Sequence, residues 1–208
     1  MKKSVPREYF ESLVIAVILA LFVRTWVFQA FKIPTGSMER NLLIGDHLIV
    51  NKMIFAPAAT ALERAMSPAR PIRRGEVIVF KYPKEPDRDF VKRVIGLPGD
   101  TLELHRKVVY INGQALRESY VRILEPPSTS GPPHTDDVRE EYGPVTVPPH
   151  QYFMMGDNRD NSEDSRYWGF MPESYVKGKA LFIYYSLDRK STRLNSSHSA
   201  KSRMPSSA

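Results

Sequence analysis

"DFVKRVIGLPGD", residues 89–100, is a short run rich in valine and isoleucine, opened by aspartate and closed by Gly-Leu-Pro-Gly-Asp. That composition between those boundaries predicts a β-strand. Alternation along a strand sends Lys92 and Arg93 to opposite faces, so the two cations cannot share one role. Lys92 points the same way as Phe90 and Val94, into apolar surroundings that disfavour its charged form. Lowering a lysine pKa from about 10.4 to roughly 8 requires about 3 kcal/mol, which burial can supply. A strand lysine is more often a surface residue that lays its stem on the sheet and keeps its ammonium in water. The pattern alone leaves both readings open.

Similar runs lie on either side. "GDHLIVNKMIF" (45–55) and "GEVIVFKYP" (75–83) precede it, and "QYFMMGD" (151–157) and "KALFIYYS" (179–186) follow. "KVVYINGQAL" (107–116) carries Asn-Gly at 112–113 between apolar stretches, the strongest short hairpin signal. Residues 56–74, rich in alanine and proline, and the polar residues 118–149 read as insertions between strands, and no internal repeat is present. The expected fold class is mainly β: a single antiparallel domain, barrel-like or built of packed sheets.

The N-terminal stretch has a different character. Ser12 to Phe31 is a run of twenty residues whose only charge is Arg24. At about 1.5 Å per residue, a helix of that length spans the roughly 30 Å hydrocarbon core of a bilayer. Trp26 and Phe28 stand near its outer end, where aromatic rings favour the interface, and Arg24 is close enough to snorkel to the headgroups. Lys2, Lys3 and Arg7 come before it, which predicts a cytoplasmic segment 1–11, an anchor at 12–31 and everything beyond outside. A cleavable signal peptide is the rival, because Leu13 to Val23 is an apolar core behind a basic start. The following Arg-Thr-Trp-Val-Phe-Gln-Ala-Phe offers no pair of small residues for cleavage, which favours an uncleaved anchor.

Composition removes several function classes. The 208 residues include no cysteine, which excludes disulfides, thiolate catalysis and cysteine-ligated metals. Seven of the 17 prolines fall between Pro126 and Pro149, which argues for long loops over a helical bundle. Net charge is +7, but five basic and no acidic residues lie in the last twenty positions, leaving 25 basic against 23 acidic in the body. A body so near neutral lacks the basic stripe that neutralises phosphates, so nucleic acid is not an expected partner. Residues 190–208 have no apolar period and resemble translated adapter sequence, so the tail 189–208 reads as disordered and non-native. The alternative is a basic segment touching anionic lipid.

Two further motifs carry chemistry. In "IPTGSMERNL" (33–42), Ser37 follows a Pro-Thr-Gly turn, where glycine permits the tight backbone that exposes a hydroxyl. Serine needs a base within hydrogen-bond reach to act as a nucleophile, and a plain turn is the competing reading. No histidine among His47, His105, His134, His150 and His198 falls in a recognisable Ser/His/Asp arrangement, which leaves Lys92 as the better base. "GDNRDNSEDSRYWGFMP" (156–172) mixes acids, arginines, asparagines and serines before an aromatic close. Arg159 occupies the third position of any calcium loop starting at Asp157, where Asp or Asn is needed. The mixed signs predict an ordered, internally bonded loop.

Together these segments resemble bacterial type I signal peptidases, the membrane-anchored serine proteases that cut signal peptides from exported proteins. The resemblance covers about residues 10–186, in order: anchor, "IPTGSM", "RGEVIVF", "KRVIGLPGD" and "GDNRDNSEDSRYWGF". It implies Ser37 as nucleophile and Lys92 as general base, a Ser-Lys variant of the serine protease scheme. Thr35 and the Ser37 N–H would form the oxyanion hole, and Ser162 would orient the lysine amine. Phe31, Ile33, Met38, Leu42 and Val91 would line shallow apolar pockets for small residues at the minus-one and minus-three positions. Arg93, Asp157, Asp164 and Arg166 would be structural charges that pair without reacting. No metal or cofactor is implied. The expected partners are signal peptides of secretory preproteins and membrane lipid. The expected location is a single-pass monomer in the cytoplasmic membrane, with a catalytic β-domain at 32–188 outside. In one departure, Arg40 and Asn41 stand where many relatives have proline and threonine, which is expected to alter the rim and the specificity beyond the nucleophile. A membrane-anchored β-domain that only binds exported chains shares this layout. A self-cleaving repressor with a related Ser-Lys pair would need a helix-turn-helix module and no anchor.

Overall fold

The computed structural model describes residues 5–39, 41–55, 70–124 and 137–185. The tail 189–208, most of the expected insertion at 56–74 and residues 125–136 of the second insertion lie outside them. Helix α1 (Val5–Phe22) opens the chain and passes through a π-turn (Val23–Val27) into strand β1 (Phe28–Lys32). The strands that follow are β2 (His47–Asn51), β3 (Val77–Lys81), β4 (Asp89–Gly96), β5 (Thr101–His105), β6 (Val108–Ile111) and β7 (Gln114–Ala115). Strands β8 (Tyr142–Thr146), β9 (Gln151–Met155), β10 (Met171–Pro172) and β11 (Val176–Tyr185) complete them, with a one-turn helix α2 (Ser165–Trp168) between β9 and β10.

The expected anchor at 12–31 ends early. Phe28 to Lys32 pair in unbroken antiparallel register with Asn51 to His47, so the last four residues of the apolar run belong to a sheet. Helix α1 instead begins upstream and takes in Arg7, Glu8 and Glu11, with an i,i+4 ion pair between Arg7 and Glu11. No helix among the described residues is both long and apolar enough to cross a membrane. Hydropathy alone could not place this boundary. The residues of β1 are as apolar as a membrane helix, and only their pairing with β2 decides their conformation.

Two antiparallel sheets form the body. The larger has the order β1-β2-β11-β3-β4-β9-β10 and curls into a half-barrel; the smaller has the order β7-β6-β5-β8. The Asn-Gly hairpin joins β6 to β7, with φ of 52° at Asn112 and 78° at Gly113, the two positive values that a type I′ turn requires. Strand β5 lies in a stretch that the sequence patterns leave unassigned, and β8 lies in one read as an insertion. Strand β5, Thr-Leu-Glu-Leu-His, alternates strictly and buries only its two leucines. Strand β8 holds Pro144 but sits at the edge of its sheet, where a missing N–H is tolerated.

Alternation along β4 and β9 serves two cores at once. Val94, Tyr152 and Met154 pack with Ile72, Ile78, Phe80 and Met171 on one face. Ile95, Phe153 and Met155 face the other way, onto Leu102, Leu104, Val109 and Ile111 of the smaller sheet. A third cluster, Ile33, Met38, Leu42, Leu48, Val50 and Val79, fills the space beneath the turn that carries Ser37. Phe153 is fully buried and contacts the rings of Tyr142 and Phe170 at centroid distances of 5.4 and 6.0 Å. It is one of the residues through which the two sheets pack together. Phe153→Ala is expected to cost about 3–5 kcal/mol in urea unfolding; a loss below about 1 kcal/mol would show that the sheets are joined elsewhere.

Candidate active site

The chain between β1 and β2 is a closed loop with a nucleophile at its crest. Ile33 N–H donates to Asp46 O and Gly45 N–H to Ile33 O, each at 2.9 Å, which zips the loop's base. Pro34 and an extended Thr35 (φ −134°, ψ 154°) lead into a 3₁₀ turn, Gly36–Met38, closed by Glu39 N–H on Gly36 O at 3.0 Å. Met38 is 1% exposed in the apolar cluster below, so its burial pins the turn and fixes the direction of Ser37. The loop that begins at Gly156 braces the turn from behind. Asn158 N–H donates to Ser37 O at 3.1 Å, and Asn158 Nδ2 donates to Gly36 O at 3.3 Å. Gly156 permits this approach. A Cβ there would lie 2.5 Å from Ser37 O and 2.2 Å from Ser162 Oγ.

Strand β4 brings Lys92 to the same point. Its Nζ stands 2.5 Å from Ser37 Oγ, and the side chain is 3% exposed. The stem passes the Phe90 ring, whose centroid is 5.1 Å from Nζ. Phe90 in turn stacks on Tyr82 at 4.3 Å. Burial pushes the Lys92 pKa down to about 8 from an ordinary value near 10.5. The carboxylates of Asp164, Glu163 and Asp157 pull it up, while the Arg166 guanidinium adds to the lowering. At pH values around 8 a substantial share of the amine is therefore neutral and able to accept a proton.

The other candidate residues fall close by, with one difference. Thr35 Oγ1 is 3.5 Å from Ser37 Oγ. Ile33, Met38 and Leu42 are buried, and the half-buried Phe31 and Val91 pack against the same cluster. Arg93 turns to the opposite face from Lys92 and grips Asp157 with Nε at 2.8 Å and Nη2 at 2.6 Å. Arg166 grips Asp164 at 2.8 Å through both Nε and Nη2. Ser162, expected to orient the lysine, makes no hydrogen bond to it here. Its hydroxyl is buried beside Gly156 without a hydrogen-bond partner. Burial raises the Asp164 pKa, but Arg166 above all outweighs it and holds the carboxyl below the usual range, with Gly156 N–H and Ser162 contributing less. The amine already has Ser37 as its close neighbour.

Two of the histidines compared with Lys92 as a base have partners of their own. His47 sits edge-on to Tyr184 and Tyr185, and His150 pairs with Glu173 at 3.1 Å on the surface. Among the described residues no cluster of His, Asp and Glu is arranged to hold a metal ion. Sequence reading missed Asn158, the brace behind the nucleophile, and gave Asn41 to the rim, whereas Asn41 donates to Asp157 at 2.6 Å. Both are short polar residues inside polar runs. Only the tertiary approach of the two loops shows what each of them holds.

The depressed pKa has a stability consequence. The native state binds the Lys92 proton less well than the unfolded chain, so charged Lys92 costs about 3 kcal/mol below about pH 8, and the cost fades as pH rises toward about 10.5. Lys92→Met keeps the shape and removes the charge. It is expected to raise stability by about 2–3 kcal/mol at about pH 6.5 and to leave it nearly unchanged at about pH 10.5, as read by urea unfolding. Destabilisation at the lower pH would contradict the assignment of a strained, desolvated amine.

Comparisons with known proteins identify a family. The family described as "Signal peptidase, peptidase S26" matches residues 6–185. A probable signal peptidase I-2 of Synechocystis is 40% identical, over 90% of this chain and 79% of that protein. Signal peptidase I of Pseudomonas aeruginosa is 35% identical, over 89% of this chain and 74% of that protein. Signal peptidase I of Aquifex aeolicus is 34% identical, over 86% and 84% respectively. A solved signal peptidase I from Enterococcus faecalis is 32% identical, covering 54% of this chain and 98% of that one, at a TM-score of 0.43. On the matched span and the shared identity, the chain belongs to the peptidase S26 family of signal peptidases.

Proposed function

We infer that this chain is a serine endopeptidase that removes signal peptides from exported preproteins, with Ser37 as nucleophile and Lys92 as general base. The observation that carries the reading is the 2.5 Å approach of a desolvated amine to a serine hydroxyl. Neutral Lys92 accepts the Ser37 proton as Oγ attacks the scissile carbonyl. The Ser37 N–H and the Thr35 hydroxyl stabilise the oxyanion, a contribution typically worth about 100- to 1,000-fold in rate per donor. Protonated Lys92 then gives its proton to the leaving amine, and the C–N bond breaks. The neutral amine next activates the water that hydrolyses the acyl-enzyme.

Substrate enters as an extended strand. Among the described residues β1 is an edge of the larger sheet, which offers its free backbone to a peptide. Phe31 and Val91, half-buried above Ile33, Met38 and Leu42, bound shallow apolar pockets that suit small side chains. Arg93–Asp157 and Asp164–Arg166 hold the site's shape and take no proton from substrate.

The chain acts at the outer face of the cytoplasmic membrane as a monomer, anchored by its N-terminal segment. Leu13, Ile15, Ile18, Leu19 and Leu21 all expose more than half of their surface on α1, with no single stripe turned inward, a surface that lipid covers and water does not favour. Between Ser12 and Val27 the apolar stretch is shorter than a full bilayer core. Local thinning and the reach of Arg24 to the headgroups accommodate that mismatch. Exposed Phe182, Tyr184 and Tyr185 at the end of β11 suit the interface.

A nucleophile and its base act as one unit, so their losses do not add. Ser37→Ala, Lys92→Ala and the double variant are each expected to abolish preprotein cleavage to the same residual level. Lys92→Arg fails too, because guanidinium keeps its proton. Wild-type kcat/KM rises with pH through a limb near 8 as neutral Lys92 becomes populated. Efficient cleavage by Lys92→Arg, or a limb near 6.5, would overturn the assignment in favour of a histidine.

A further inference from the structure

Asn41 stands where the family's pattern differs, and sequence alone assigns it to the rim of the site. The structure turns it inward. Its Nδ2 donates to Asp157 Oδ2 at 2.6 Å and to Tyr120 O at 3.1 Å, so both of its amide protons are used. Asp157 is fully buried and receives Arg93 on the same carboxylate. Arg93 is the neighbour of Lys92 on β4, and its guanidinium lies 3.9 Å over the Tyr120 ring while Nη1 donates to Gly75 O at 2.7 Å. On the other side, Asn41 N–H and Leu42 N–H donate to Met38 O at 3.1 and 2.9 Å, which ties it directly to the nucleophile turn.

One buried carboxylate is thus held by the base strand through Arg93 and by the nucleophile turn through Asn41. We propose that Asn41 is a positioning residue for the reaction, which sets the separation of Ser37 and Lys92 by anchoring the serine turn to the Asp157–Arg93 pair. Charge–amide hydrogen bonds are shorter and stronger than neutral ones, and Asp157 is closed off from water, so its lost donor cannot be replaced from solvent. The backbone gives the link its leverage. Asp157 O accepts from Arg122 N–H at 2.7 Å, and the next residue, Asn158, holds Ser37 O. A shift at Asp157 therefore moves both the back of the turn and the strand beside the base. Geometry of this kind acts on rate more than on binding, because small displacements of reacting atoms from attack distance are costly. A neutral amide adds no charge near Lys92, so its loss leaves the amine's titration where it is.

The proposal rests on the Ser37–Lys92 reading. The test uses Asn41→Leu, similar in volume but without donors, and Asn41→Ala, in the full-length chain in detergent, with kcat expressed per folded molecule. The expected result is a fall in kcat of about 10- to 100-fold, KM within about twofold, and a pH limb still near 8. An unchanged kcat, or a rise in KM alone, would overturn the proposal and return Asn41 to the rim. So would unfolding of both variants at the assay temperature, since Asn41 would then be a determinant of the fold. Failure of the underlying dyad is distinguishable, because Ser37→Ala would then still cleave.

Discussion

Lys92 and Ser37 come from distant parts of the chain, and much of the described structure serves to hold them 2.5 Å apart with the lysine 3% exposed. In water the amine would titrate at about 10.4 and be almost wholly protonated near pH 7–8, useless as a base there. Burial beside Phe90 and the strand framework removes that hydration and brings the amine to about 8. The neighbouring charges oppose one another, since Asp164, Glu163 and Asp157 favour the proton and Arg166 disfavours it. Desolvation is the largest influence and sets the direction. A residue buried against its own solvation preference is a site where stability has been given up for activity.

The loop that follows β9 supplies the rigidity. It is a polar segment buried like a core: Asp157, Asn158, Asp164 and Ser165 are fully buried, and Arg159 nearly so. Arg166 with Asp164, Lys107 with Asp160, and Arg159 with Glu118 satisfy its charges in pairs, the last two reaching across from the smaller sheet and the connection after it. Such pairs add little net stability over apolar packing, but breaking one leaves an uncompensated charge at a cost of about 3–5 kcal/mol. They therefore specify one arrangement more than they strengthen it. A single arrangement is what a backbone hydrogen bond to Ser37 O and a shared carboxylate at Asp157 require. The smaller sheet does not carry the dyad, yet its contacts with this loop tie it to the shape of the site.

What could be read in advance follows from which interactions are local. The strand carrying Lys92, the Asn-Gly hairpin and the turn before Ser37 are written in short-range patterns of alternation and turn chemistry, and the fold has them where those patterns place them. The anchor boundary was misread because Phe28 to Lys32 are apolar enough for lipid, and only pairing with β2 assigns them to a sheet. Strand β8 was hidden by its proline, which an edge position tolerates. The resemblance implies that Ser162 orients the amine, and its hydroxyl makes no hydrogen bond to Lys92 in this structure. Asn41 and Asn158 act through contacts more than a hundred residues away in sequence, which no local pattern encodes.

The central claim is that folding lowers one lysine amine to about 8. It is tested most directly by following the lysine side chains, labelled with ¹³C at Cε, by nuclear magnetic resonance across a pH titration. One resonance is expected to titrate near pH 8 and to be missing from Lys92→Met. A wild-type spectrum in which every lysine titrates at about pH 10 or above would contradict the account.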